Sequence, residues 1–332
     1  MNDSFILLPD PLDSSLVLAM MATFVAVMAI TPSIIKYALK INWLDEPNGR
    51  KLHKRPTPSI GGMVLIPCIF IAWLLFATPE DMDRSSFVTL MAAISLMYLM
   101  GLYDDRWPLS HRIKLPVQVI LSASLINALG ILPLDFNGVL GIHIIDSWWG
   151  FLLVLLFFQF TINAVNFIDG INGLLGSYTT VTLAFLGIVF LRLEVDTAMA
   201  WLLLITASGT LAYLFFNFKR KAETFMGDSG STVIGLIIAA SVSMLLSHDS
   251  QIGRVPSFFF VAILFWYPLV DSLQVYSRRI LKSHSPFQAD KRHLHHLLLK
   301  HVVNNHVKAS ALIALLTVAA AILLWIVAAS AS

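Results

Sequence analysis

The sequence contains few charged residues. Only 13% of its 332 residues are charged and 57% are hydrophobic, whereas about 25% of the residues of a typical soluble domain are charged. Apolar runs recur along the whole chain with lengths of about 20 residues, which a helix needs to cross a hydrocarbon core roughly 30 Å thick. The composition excludes an ordinary soluble protein, and we expect a single membrane domain over residues 1–332.

Cysteine is also scarce, and a basic segment at the start is lacking. The single cysteine, Cys68, excludes an intramolecular disulfide and a cysteine-based zinc site. The first residues, MNDSFILLPDPLDSS, are acidic and lack the basic region of a secretory signal. We therefore expect the first apolar run to be kept as a membrane helix.

Apolar windows predict an all-α fold with about ten transmembrane helices. They lie near residues 15–36, 60–78, 87–103, 114–132, 148–167, 174–192, 199–217, 230–247, 256–276 and 308–328. Ten spans place both termini on one side and divide the loops into two alternating sets. One set carries 19 of the 22 Lys and Arg residues, and the other holds only Arg84, Arg192 and Arg254. Because positively charged loops face the cytoplasm, we predict periplasmic termini.

Two adjacent carboxylates end the third window, in GLYDDRWPLSHR. Asp104 and Asp105 are followed by Arg106, His111 and Lys114. Neighbouring carboxylates repel each other, and keeping both ionised near a low-dielectric boundary usually requires a cation or a metal ion. The pair is a candidate for acid–base or metal chemistry, with a solvated helix end as the alternative.

A second polar stretch, NAVNFIDGINGLLGS, joins the fifth and sixth windows. Asn163, Asn166 and Asp169 recur every three residues and share roughly one helix face. Gly170 and Gly173 allow a tight turn and a close approach of the backbone to a ligand. The pattern favours a functional site over a simple turn.

A third stretch, NFKRKAETFMGDSGS, surrounds Asp228 with glycines and serines. A Gly-rich turn that begins a helix presents backbone N–H groups to a phosphate, and an aspartate there suits a bridging Mg²⁺. A simple N-cap role for Asp228 is the alternative. Lys219 to Lys221 are interpreted as charges that set the topology.

Two longer loops add basic residues and histidines on the predicted cytoplasmic side. In SPFQADKRHLHHLLLKH, the histidines are typical of phosphate contact, with a zinc site or a basic interfacial helix as alternatives. In DEPNGRKLHKRPTPSIGG, Lys51, His53 and Arg55 are candidates for meeting a phosphate. Asp271 is an acid inside the ninth window and is a candidate on that ground alone.

In order and spacing, these five stretches resemble the polyprenyl-phosphate N-acetylhexosamine-1-phosphate transferases of glycosyltransferase family 4, from about residue 36 to residue 307. The resemblance implies transfer of a sugar-1-phosphate from a UDP-sugar to undecaprenyl phosphate, with release of UMP. It also implies a requirement for Mg²⁺, with Mn²⁺ as the alternative ion. The HLHH pattern resembles members that use simple UDP-N-acetylhexosamines, so we expect N-acetylglucosamine, while fucosamine- and quinovosamine-type donors stay open.

The resemblance also implies roles for individual residues. Asp104, Asp105 and Asp169 would be the catalytic acids, with Asp104 the better candidate for a base, and Asp228 with Asp105 would hold the metal ion. Phe225 would stack on the uracil. The other implied contacts to phosphates and nucleotide are Lys114, Asn166, Arg292, His293, His295 and His296, and further candidates are Asn163, Asn172, Lys51, His53 and Asp271.

One position departs from the family pattern. Many members read D-G-x-D-G where this sequence reads DGING, so Asn172 replaces an acid. Either that acid is dispensable, or the chain belongs to a branch with another sugar or lower activity. A catalytically silent scaffold and an ion-coupled transporter are the alternatives from other classes.

The resemblance places the protein in the bacterial inner membrane, with its active-site loops facing the cytoplasm. Its expected partners are undecaprenyl phosphate, a UDP-N-acetylhexosamine and membrane lipid, without nucleic acid, and a homodimer is left open. The reaction would initiate a cell-surface polysaccharide such as an O-antigen or a common antigen.

Overall fold

The computed structural model describes residues 13–47, 55–76, 82–132, 134–136, 138, 141–145, 148–248, 251–252, 255–281, 294–303 and 305–329. Most of these residues are helical. The helices are α1 (Ser14–Lys40), α2 (Gly61–Phe76), α3 (Arg84–Arg106), α4 (His111–Ala128), α5 (Trp148–Phe167), α6 (Leu174–Arg192), α7 (Thr197–Asn217), α8 (Asp228–His248), α9 (Ser257–Leu264), α10 (Trp266–Leu281), α11 (Leu294–Leu298) and α12 (His306–Ala329), with a π-helical turn at Leu299–Val303.

Two small antiparallel strand pairs complete the structure. Strand β1 (Leu134–Asp135) pairs with β2 (Ile144–Ile145), and β3 (Gln251–Ile252) pairs with β4 (Val255–Pro256). The predicted all-α fold is thus confirmed for the helical bundle. The prediction did not include these two-residue strands.

The helices agree with a polytopic membrane protein. Within the described residues, seven of them (α1, α3, α5, α6, α7, α8 and α12) are long and apolar enough to cross a membrane. Such segments must be helical because lipid offers no partner for backbone N–H and C=O groups. Each of the ten predicted windows coincides with a helix or a helix pair, although three of them differ from a simple span.

These three windows correspond to α2, α4 and the pair α9–α10. Helix α2 is apolar but has only 16 residues, and α4 is less apolar than the seven spanning helices. Helices α9 and α10 meet at a bend of 75°. Pro268 lies in the first turn of α10, a position that proline favours because its N–H would have no helical partner there.

Helix α8 lies at the centre of the bundle. It packs against α2, α3 and α5, while α6 pairs with α7, and α1 and α12 lie on the outside. In the most apolar part of α8, 89% of the residues are buried, compared with 22% in α1 and 28% in α12. This is the burial expected when outer helices face lipid and inner helices face other helices.

Two glycines bring α2 and α3 close to the first turn of α8. A Cβ atom at Gly62 would lie 2.1 Å from the backbone N of Gly230, and one at Gly101 would lie 2.6 Å from that of Ser229. Contacts this short exclude any side chain at either position. The end of α3, which carries Asp104 and Asp105, therefore lies directly against the start of α8.

Candidate active site

Asp105 caps α8 from a neighbouring helix. Its Oδ1 atom accepts the N–H of Asp228 at 2.7 Å, and its Oδ2 atom accepts the N–H of Ser229 at 3.0 Å and the hydroxyl of Ser229 at 2.6 Å. A carboxylate at a helix N-terminus satisfies free N–H groups and interacts favourably with the helix dipole. These N–H groups thus serve a protein carboxylate rather than the phosphate that the Gly-rich turn predicts.

Lys114 lies between the carboxylates of Asp104 and Asp228. Its Nζ atom donates to Asp104 Oδ2, and it lies 2.8 Å from Asp228 Oδ2. Asp104 also accepts the N–H of Leu109 at 2.6 Å, so the loop before α4 holds this acid in place. One ammonium group therefore joins the end of α3, the first turn of α4 and the start of α8.

Asn166 fixes the other oxygen of Asp228. Its side-chain amide donates to Asp228 Oδ1 at 2.9 Å and to the hydroxyl of Ser231 at 2.8 Å. Both oxygens of Asp228 thus have a donor, one from α4 and one from α5. This places Asn166 among the site residues, as the sequence predicts.

Asp169 completes the cluster from the loop between α5 and α6. It accepts the N–H of Gly227 at 3.1 Å. Burial raises the pKa of Asp169 well above its usual range; the Gly227 hydrogen bond acts in the opposite direction, and the nearby carboxylates of Asp105 and Asp228 raise it further. Four carboxyl groups, from α3, α8 and the loop after α5, therefore gather at the first turn of α8, and two of them, those of Asp104 and Asp228, contact Lys114.

The cluster has the donor chemistry that Mg²⁺ prefers. Within the described ranges, no three His, Cys, Asp or Glu side chains converge as a complete metal cage. Mg²⁺ commonly uses one or two carboxylates together with water and substrate phosphates. Asp104 and Asp228, which both contact Lys114, fit that pattern, because their two carboxylates share one cation and a second positive charge would offset their repulsion.

A large cavity is bounded by the segment before α2, the loop between α7 and α8 and the start of α12. It has a volume of about 650 Å³, within the range of small-molecule pockets. Its walls combine the aromatic ring of Phe225, the side chain of Asn172 and three cationic side chains, and the lining residues are Arg55, Pro56, Thr57, Asn172, Arg220, Lys221, Ala222, Glu223, Phe225 and His306. Arg220 and Lys221, interpreted from the sequence as topological charges, therefore line a cavity.

A smaller cavity of about 130 Å³ reaches Asp228 from another direction, between α4, α5 and α8. Lys114, Asn163, Asn166 and Asp228 form part of its wall, and Leu115 is among the other lining residues. Both polar and apolar groups thus line the space. Phe225 in the wall of the large cavity precedes Asp228 in the wall of the small one by three residues, so a short segment of chain links the two cavities.

Asn172 ties three parts of the chain together. Its side-chain amide donates to the backbone carbonyl of Lys219 at 2.8 Å, and its backbone carbonyl accepts the hydroxyl of Ser310 at 2.7 Å. The α5–α6 loop is thereby joined to the α7–α8 loop and to α12. An amide is suited to this position because it donates to a carbonyl oxygen, which a carboxylate does not do.

Replacing Asn172 by aspartate should therefore impair this chain. The carboxylate would lose the donor to Lys219 and would face a carbonyl oxygen, so we expect a loss of about 1–3 kcal/mol in the free energy of unfolding. Thermal unfolding in detergent measures this loss. Asn127→Asp is the matched control and should cost little, because Asn127 is exposed and water can replace its hydrogen bond to the carbonyl of Ala123 in the same helix. An Asn172→Asp variant more stable than the native chain would contradict the assignment.

Asp271 contacts the segment that carries the histidine motif. It is fully buried in α10 and accepts the N–H of Leu294, the first residue of α11. The side chains of Lys51, His53, Arg292, His293, His295 and His296 lie outside the described residues, so their roles stay predictions. Asp271 thus contacts the backbone of Leu294, which directly precedes His295 and His296 in the sequence.

Trp43 is a site residue that no motif revealed. Its indole N–H donates to the carbonyl of Asp105 at 3.2 Å, and the guanidinium of Arg106 lies 5.6 Å from the centre of its ring. Arg106 also donates to the carbonyl of Asn42 at 3.1 Å. The segment after α1 thus holds the end of α3, and the positive φ of 54° at Asn42 is the local feature that turns the chain toward it.

Residues 87–246 match the sequence profile of glycosyl transferase family 4. The chain is 30% identical over 307 residues to the decaprenyl-phosphate N-acetylglucosaminephosphotransferase of Mycobacterium leprae, with 83% of this chain and 77% of that protein covered. The chain belongs to glycosyl transferase family 4. Undecaprenyl-phosphate alpha-N-acetylglucosaminyl 1-phosphate transferases are similar at 29% identity in Yersinia pestis, over 80% of this chain and 72% of that protein, and at 30% in Escherichia coli K12, over 80% and 71%.

The region that matches the family also contains the acidic residues of the candidate site. The matched region contains Asp104, Asp169 and Asp228, which the fold brings together from α3, the α5–α6 loop and α8. The large cavity also draws Arg55 and His306 from outside that region. The site therefore extends beyond the part of the chain that defines the family.

Proposed function

We propose that this chain transfers N-acetylglucosamine-1-phosphate from UDP-N-acetylglucosamine to undecaprenyl phosphate and releases UMP. The observation that carries the proposal is the Asp104–Lys114–Asp228 arrangement in a family 4 transferase, with Lys114 and Asp228 in the wall of one cavity and Phe225, three residues before Asp228, in the wall of another. The similar proteins of Yersinia and Escherichia are named for an undecaprenyl-phosphate substrate and an N-acetylglucosaminyl 1-phosphate group. The product would be the first lipid-linked intermediate of a cell-surface polysaccharide.

The two cavities suit the two substrates. The large cavity has an aromatic ring for a base and cationic side chains for a diphosphate, so we place the UDP-sugar there. The small cavity combines Lys114 with apolar residues such as Leu115, which suits a phosphate carried by a lipid. Holding both substrates against one cluster makes the reaction effectively intramolecular.

The reaction exchanges one phosphorus–oxygen bond for another. An oxygen of the lipid phosphate attacks the β-phosphorus of the donor, the bond from this phosphorus to the oxygen shared with the α-phosphate breaks, and that oxygen leaves with UMP. A lipid phosphate is already largely ionised near neutral pH, so attack does not require Asp104 to remove a proton. Lys114 and the other cations stabilise the negative charge that spreads over the phosphoryl oxygens.

Mg²⁺ would be held by Asp228, with Asp104 facing it, and when bound it would neutralise the donor pyrophosphate and the departing UMP. Lys114 and Asn166 orient Asp228 for this task. Asp105 keeps the first turn of α8, and hence Asp228, in position. In this account Asp105 acts on the metal site through the backbone of α8.

We also propose ten membrane crossings with periplasmic termini and the active site facing the cytoplasm. Two observations support this orientation. The hydrogen bonds of the site join the end of α3 and the loop after α5 to the starts of α4 and α8. These four parts of the chain lie at one end of the bundle. The Lys- and Arg-rich loops follow the same alternation along the chain, and such loops face the bacterial cytoplasm.

Purified protein tests the proposed function directly. UMP release should require both undecaprenyl phosphate and Mg²⁺ and should be fastest with UDP-N-acetylglucosamine in a panel that includes fucosamine- and quinovosamine-type donors. Release that persists without the lipid, or in the presence of a chelator, would contradict the proposal. Faster release from another donor would keep the reaction and change the sugar.

A further inference from the structure

His306 lies in the wall of the large cavity but belongs to none of the motifs that mark the site. It is the first residue of α12, and its ring lines the same space as Phe225. Its Nδ1 atom is enclosed by protein and, within the described part of the chain, has no hydrogen-bond partner. Nothing in the packing of α12 therefore accounts for a histidine at this position.

The surroundings determine which ring nitrogen is left for a ligand. A neutral imidazole has one N–H donor and one acceptor nitrogen, whereas the charged form needs two acceptors. Arg55, Arg220 and Lys221 line the cavity together with Glu223, which is paired with Lys219, so the excess of cations disfavours a further positive charge. Because Nδ1 is enclosed, the neutral ring presents Nε2 to the cavity as a single hydrogen-bonding atom.

Given the proposed function, we infer that His306 recognises the nucleoside part of the UDP-sugar through Nε2. The ring shares its cavity with Phe225, whose aromatic side chain is of the kind that stacks on a base. The three cations suit the negatively charged phosphates. The uncharged imidazole instead suits the uncharged polar atoms of the nucleoside. His306 is thus a residue that determines donor affinity, and it acts from a segment outside the family-defining region.

The affinity of the purified protein for UDP, measured by calorimetry without lipid, tests this inference. His306→Leu removes Nε2 at similar volume and should weaken UDP binding about tenfold, as expected for one lost hydrogen bond with an unsatisfied partner. His306→Gln, which retains a polar group of similar reach, should stay within about threefold of the native protein. The KM for the UDP-sugar should rise in parallel, while the KM for undecaprenyl phosphate and the melting temperature should not change.

His248→Leu is the matched control, because this exposed histidine ends α8 at the end opposite Asp228. UDP affinity that is equal in the native protein and in His306→Leu would overturn the inference, as would equal losses in His306→Leu and His306→Gln. UDP binding is measured without turnover, so the outcome of this test does not depend on whether the protein releases UMP. Failure of that function would instead appear as a native protein that binds UDP and releases no UMP from any donor.

Discussion

Replacing Lys114 by methionine should lower the turnover number by about 10²–10³, the range found when a single charge-stabilising group is removed from an active site. Methionine keeps the length of the side chain and removes the ammonium group. Asp104 and Asp228 would then face each other without the cation that now joins them. UMP release at saturating concentrations of both substrates measures the effect.

A second substitution separates this role from general damage. The double variant Lys114→Met/Asp104→Asn also lacks one of the two carboxylate charges that would otherwise repel each other. Its loss of turnover, expressed as a free energy, should therefore be smaller than the sum of the two single losses. Lys36→Met is the control, because this exposed lysine lies on α1, and its turnover should match that of the native protein. Full activity in Lys114→Met would show that the ammonium group has no part in the reaction.

Replacing Asp105 by alanine should impair both folding and catalysis. The N–H groups of Asp228 and Ser229 and the Ser229 hydroxyl would lose their acceptor, which should lower the free energy of unfolding by about 1–2 kcal/mol, as for a lost helix cap. Turnover should fall by about 10² or more, because Asp228 begins the helix that loses its cap. Thermal unfolding and UMP release measure the two effects.

Asp83 provides a matched control for this prediction. It caps α3 by accepting the N–H groups of Ser85 and Ser86 at 2.9 and 3.0 Å, at the end of α3 away from the acidic cluster. Asp83→Ala should therefore cost a similar free energy of unfolding and leave turnover unchanged. An Asp105→Ala variant with native stability would contradict the capping role and would favour direct metal binding by Asp105.

The spacing of polar residues along the chain identified candidates for the site, and the resemblance to the transferase family implied their roles. Asp104, Asp169 and Asp228 each end an apolar run or begin the next one, and a helical bundle places such ends together. Lys114 and Asn166 were identified in the same way. The helices themselves were predictable because a lipid environment leaves the backbone few alternatives.

The partners of these residues could not be predicted, because they depend on contacts between distant segments. Asp105 caps α8 only because Gly101 lets α3 approach Ser229 closely, and no local pattern specifies that approach. Asn172 looked like a missing acid but proves to be a donor to the Lys219 carbonyl. Pro268 was an available signal for the bend between α9 and α10, which a continuous apolar window conceals.

The fate of each donor phosphorus atom tests the central claim most directly. Protein reconstituted with undecaprenyl phosphate would receive UDP-N-acetylglucosamine labelled with radioactive phosphorus at either the α- or the β-position. The account predicts that the β-label enters the lipid, with one UMP formed for each labelled lipid, and that the α-label stays with UMP. A β-label that remains in water-soluble products while UMP is formed would contradict transfer of the sugar-1-phosphate to the lipid.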